Sequence, residues 1–137
     1  MDILYPAFAM FALTLFVQVR LGLARRAAVR DRRIDPRFFS AYRGYDEPDD
    51  LRVLSRHLDN LYEAPVLFYA ILVIAQVSGQ AGLLPVLLAW AYVALRFAHS
   101  AVHLGANVVM QRFRIFLASL FVLTALWLVV LVGMLIA

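Results

Sequence analysis

Beyond Arg114 no side chain up to Ile136 carries a charge, and the run from Ile115 to Ile136 is apolar or small. A helix needs about 20 such residues to cross a hydrocarbon core of about 30 Å, so this run is a bilayer span. In water it would leave an apolar surface on every side. Three more segments follow the same pattern. Ile3 to Val19 is interrupted by little except Thr14 and Gln18, and arginines from Arg20 to Arg33 stop it. Leu83 to His103 is clean until Arg96. Ala64 to Val77 is too short to cross at about 1.5 Å per residue. Its helix must therefore begin near Leu54, which carries Arg56, His57, Asp59, Asn60 and Glu63 to membrane depth or its edge. With 137 residues, 64% of them apolar, and a mean hydropathy of +0.81, four spans use up the chain. The expected fold class is all-α: a four-helix integral membrane bundle in one domain, 1–137. Its helices are expected at about 3–24, 53–77, 83–106 and 113–136, with a loop at about 31–51.

The 13 basic residues are all arginine, set against 9 acids. Ten of the arginines fall between Arg20 and Arg56, and the other three are Arg96, Arg112 and Arg114. Because these blocks join hydrophobic spans, they report topology; a nucleic-acid binder would carry such charge on a soluble module. The positive-inside rule puts Arg20 to Arg56 and His103 to Arg114 on the cytoplasmic side, with both termini and the uncharged turn near Ser78 to Gly82 outside. The first span lacks a basic start and a small-residue cleavage site, so it is expected to stay in the mature protein. Cysteine is absent, which excludes disulfides, thiolate metal sites and a cysteine nucleophile. No repeat period, phosphate loop or dinucleotide fingerprint is present.

In the loop, Phe38, Phe39, Tyr42 and Tyr45 among arginines read as an interfacial aromatic belt, with a lid over an inner-side pocket as the competing reading. The run Asp46, Glu47, Pro48, Asp49, Asp50 supplies acidic and proline signals for the start of the second span. Pro65 is expected to kink that span just beyond Glu63.

Ionisable groups inside a bilayer normally face the bundle or a wet cavity and partner one another. Arg56, Asn60 and Glu63 recur at i, i+4 and i+7, with Asp59 beside them. Arg96, His99 and His103 recur at i, i+3 and i+7. Helical geometry puts each set on one stripe, and both stripes lie at matching inner-half depth. One expectation is a packing network in which Glu63 pairs with Arg56 or Arg96. Arg20, Arg56, Arg96 and Arg112 outnumber Asp59 and Glu63, however, and leave positive charge that an anionic ligand could neutralise. His99, His103 and Glu63 resemble a zinc ligand set, but Arg96 on the same stripe opposes a dication, and no metal is expected. Ser100 points off the His99 face, so a serine triad is not supported.

The segment Arg56-His-Leu-Asp-Asn60-Leu-Tyr-Glu63-Ala-Pro resembles the second-helix signature of MAPEG, the family of membrane-associated proteins in eicosanoid and glutathione metabolism. Arg96-Phe-Ala-His99-Ser-Ala-Val-His103 is similar to the arginine, histidine, tyrosine pattern of the family's prostaglandin E synthases, with His103 in the tyrosine place. Gln18-Val-Arg20-Leu matches the end of their first helix. The resemblance covers nearly the whole chain. It implies a homotrimer that binds glutathione in inner-side clefts between subunits, lined by Arg20, Arg56, Asn60, Glu63, Arg96, His99 and His103. Arg112, counted without gaps from Arg96, falls on the family's arginine beside the thiol. Phe113 and Phe116 replace a hydroxyl residue and a further tyrosine, and Asp59 replaces a basic residue. These departures argue against prostaglandin synthesis.

The implied chemistry is consistent. Arginines and Asn60 suit the two carboxylates of glutathione, and Glu63 suits its amine. A guanidinium beside a thiol of pKa about 8.5 favours the thiolate. The expected activity is that of a glutathione transferase or peroxidase on lipophilic electrophiles arriving from the bilayer. The alternatives are a non-catalytic protein whose polar stripes only cement helices and subunits, and a metal or lipid-headgroup site.

Overall fold

Four helical stretches in a computed structural model are long and apolar enough to span a bilayer, which makes the chain an integral multi-pass membrane protein. Residues 2–44 and 46–136 are described, so Tyr45 of the expected aromatic belt lies outside them. The elements are α1 (Tyr5–Arg30), α2 (Phe38–Ala41), α3 (Asp49–Tyr62), α4 (Ala64–Val77), α5 (Leu83–Leu104) and α6 (Val109–Ile136), with no strand among the described residues.

The boundaries differ from the sequence expectation for local reasons. α1 runs past residue 24 to Arg30, because arginine is a good helix former and favours the negative end of the dipole. α3 starts at Asp49, with Pro48 at its cap and two acids in its first turn. The second span is two helices, broken at Glu63, whose φ and ψ are −88° and −93°. Pro65 lies in the first turn of α4, where its ring fits a helix start but would clash in a helix interior. α5 ends at Gly105. Asn107, which a longer helix would have carried, instead turns the chain at φ 50°.

α1 packs on α3, α4 and α5, whereas α6 packs on α5 and α4. Among the described residues α1 and α6 do not pack together, so they lie on opposite sides of the bundle. Met10, Leu13 and Val17 of α1 meet Phe68, Ile71 and Leu72 of α4 and Ala89, Tyr92 and Val93 of α5 in the core, with Leu123, Leu126 and Val130 of α6 behind them. Their three- and four-residue spacing keeps one face of each helix inward. At the uncharged end Gly79 turns the chain at φ 73°. A side chain at Gly133 would strike the Gln80 amide that covers it.

At the basic end the loop folds onto α1. Ala28, Ile34, Phe38 and Leu51 form a small second core, so Phe38 is buried, not spread at a headgroup surface. The acidic run is taken up locally. Arg33 grips Asp50 at 2.6 and 3.1 Å, Arg52 reaches Asp49 at 3.1 Å, and the Ser55 hydroxyl bonds Glu47 at 3.3 Å. Arg25 lies over Phe39 and Tyr42. The Arg33–Asp50 pair is half-exposed, and such pairs contribute about 0–1 kcal/mol. Asp50→Asn is accordingly expected to leave the melting temperature within a few degrees of wild type; a large drop would mean the pair anchors the loop.

Candidate functional site

The buried stripe of α3 is Leu51, Leu54, His57 and Leu61, a three- and four-residue spacing that turns His57 into the bundle. Arg56 and Glu63 are exposed on the neighbouring face, and Asn60 is half-buried between them. The expected inward stripe of Arg56, Asn60 and Glu63 is thus rotated outward, because three leucines outcompete two charges for the interior. Among the described residues the Glu63 carboxylate makes no ion pair, so the expected bridge to Arg56 or Arg96 is not formed.

α5 turns Tyr92, Arg96, His99, Ser100 and His103 inward. Arg96 is 0% exposed. Its Nη2 donates to the Asn60 carbonyl at 2.9 Å, while Nε and Nη1 have no partner among the described residues. The guanidinium carbon lies 5.9 Å from the Phe116 ring centre. Among the described residues it forms no ion pair, and Glu63 acts on it only from beyond ion-pair distance; burying such a charge costs several kcal/mol. His103 Nδ1 is 3.0 Å from His57 Nδ1, and His99 Nδ1 is unpartnered.

α6 adds Arg112, half-buried, whose Nη1 donates to Asn107 Oδ1 at 2.7 Å. Asn60, His99 and Arg112 line one cleft of about 260 Å³, with apolar walls from Met110, Phe113 and Phe116. A second, wider groove of about 560 Å³ runs between α1 and α5, past Phe16, Arg20, Phe97 and Leu104. The two share no lining residue. Arg20 therefore stands apart from Arg112 within one chain, on the opposite side of the bundle.

Asn60, Arg96, His99, His103 and Arg112 gather at the basic end; Arg56 and Glu63 are exposed on α3, and Arg20 is on α1. The serine and threonine hydroxyls here are already engaged. Ser100 bonds the Arg96 carbonyl, Ser119 that of Phe116 and Thr124 that of Leu120, the usual back-bonding of helical Ser and Thr. Sequence spacing brings His57 to membrane depth without a role and puts Asn107 on the α5 stripe only if that helix continues. The leucine spacing around His57 carried its signal; nothing local marked Asn107 as the residue that holds Arg112.

A family model described as the MAPEG family matches residues 3–132. No curated protein and no solved structure matches the chain.

Proposed function

The chain belongs to the MAPEG family, and from that premise we propose that it binds glutathione at the basic end of the bundle and acts as a glutathione transferase or peroxidase-like enzyme on lipophilic electrophiles. The observation that carries this reading is unbalanced positive charge around a cleft. Arg96 is wholly buried without an acidic partner, and two of its donors are unused. Arg112 lines the cleft beside it, and no acid does. Such a site suits an anionic peptide.

Glutathione, when bound, supplies a nucleophilic thiol. Arg56 at the rim and the Asn60 amide would hold its carboxylates, with the exposed Glu63 facing its amine. Asn107 fixes the Arg112 guanidinium, which favours the thiolate form. His99 and His103 offer hydrogen bonds to the peptide, and Arg96 adds positive potential from behind. Met110, Phe113 and Phe116 limit water. Phe113 and Phe116 bring no hydroxyl to the cleft, so thiol activation falls to Arg112.

Within one chain Arg20 is separated from Arg112, since α1 and α6 do not pack together. That separation supports a site shared between protomers of a homotrimer, with the groove beside Arg20, Phe16 and Phe97 as the bilayer-facing entry for the electrophile. The arginine-rich loop at about 31–51 is then cytoplasmic and the termini are on the other side.

The Arg96 bond to the Asn60 carbonyl, which ties α3 to α5, favours a second reading in which the polar groups serve packing alone. Thermal denaturation in detergent separates the two. A ligand at a hundredfold excess over its Kd stabilises by about 2.7 kcal/mol, so millimolar glutathione is expected to raise the melting temperature. Arg56→Ala or Glu63→Gln should abolish that rise. An unshifted wild-type curve would favour the packing role.

A further inference from the structure

All three histidines of the chain converge inside the basic end. His57 of α3 and His99 and His103 on successive turns of α5 are each almost wholly buried. Their ring centres form a near-equilateral triangle with sides of 4.7, 5.7 and 5.8 Å. One nitrogen from each ring lies within 4.8 Å of the others. Three imidazoles bound tetrahedrally to one ion at about 2.0–2.1 Å have ring centres about 5 Å apart, so small side-chain adjustments complete the arrangement. Hydrogen bonding explains only one edge of the triangle, the 3.0 Å contact between His57 and His103. His57 Nε2 and His99 Nδ1 remain buried and unpartnered.

We propose that His57, His99 and His103 form a three-imidazole site for a zinc ion, with the fourth coordination position open. The donor set is nitrogen only: Glu63, the oxygen ligand that sequence spacing suggested, is exposed on the adjacent face of α3. Neutral imidazoles suit zinc and its neighbours in the first transition row, and three histidines with one free position is a recurrent zinc arrangement. The charged groups around the rings are Arg56 of α3, Arg96 of α5 and Arg112 of α6. Their positive field opposes a bare dication, so binding requires an anionic fourth ligand such as hydroxide, which the unused Nε and Nη1 donors of Arg96 suit. The site does not depend on glutathione binding.

The test uses full-length protein in detergent without a polyhistidine tag, stripped with a chelator, loaded with Zn2+ and desalted. Elemental analysis is expected to find one Zn2+ per chain, with a higher melting temperature than the stripped protein. Co2+ in its place should give the visible bands of a tetrahedral ion. His57→Gln and His103→Gln should each reduce bound metal to background. Glu63→Gln, which tests the glutathione reading and lies on the adjacent exposed face of α3, should retain one ion per chain, so the two ideas fail separately. A wild-type protein that keeps no zinc, a Co2+ spectrum without tetrahedral bands, or histidine variants with full metal content would overturn the site. The wild-type measurements decide the matter even if a variant does not fold.

Discussion

Arg112→Ala is expected to lower turnover of a lipophilic electrophile with glutathione by at least about a hundredfold, the usual loss when one group stabilising developed charge is removed. Arg112 lines the cleft, is half-buried and is oriented by a 2.7 Å bond to Asn107. With Phe113 and Phe116 on the walls and the nearby serine hydroxyls committed to carbonyls, Arg112 is the only charged group among the described residues that lines the cleft itself. The ultraviolet absorbance of bound thiolate should disappear in the same variant. Arg112→Lys keeps the charge but lacks the planar fork, and should recover part of both signals. Asn107→Ala should act less strongly, through loss of orientation, and should leave glutathione binding near wild type. Unchanged turnover and absorbance in Arg112→Ala would remove this residue from the chemistry.

Phe68→Ala is expected to cost about 3–5 kcal/mol, as large-to-small changes at fully packed aromatic positions do. Phe68 is wholly buried where α4 crosses α5 and stacks on Tyr92 with ring centres 4.5 Å apart and planes 25° from parallel. Truncation would leave a cavity between α4 and α5, the helix that carries Arg96. Tyr92→Phe is the matching control. The Tyr92 hydroxyl is buried without a partner, so its removal should be neutral or stabilising. Unfolding in mixed micelles measures both variants; a Phe68→Ala loss below about 1 kcal/mol would show that the bundle relaxes around the gap.

The spans and their ends were legible in the sequence to differing degrees. Apolar runs and arginine blocks identify four crossings because lipid forbids any other backbone arrangement for them. The break at Glu63 has its cause in Pro65, which the sequence displays. The extension of α1 to Arg30 was only partly legible: arginines suit a helix end, but the Arg25 contacts with Ser55 and Phe39 are made only by the loop fold. On α3, the charged residues Arg56 and Glu63 lie on the exposed face of the single chain, not the inward one. Periodicity places them together, but which face turns inward depends on the competition with Leu51, Leu54 and Leu61.

By itself the sequence determined that this is a four-span, all-helical membrane protein with its positive charge concentrated at one end, because the bilayer tolerates so few alternatives that composition and spacing suffice. It also carried the family, since ordered motifs survive as local patterns. Only tertiary structure decided that His57 joins His99 and His103, that Asn107 holds Arg112, and that Arg20 lies across the bundle from both. Those relations depend on the rotation of each helix about its axis and on which helices are neighbours. Packing sets both through contacts between residues far apart in the chain, and no local pattern encodes them.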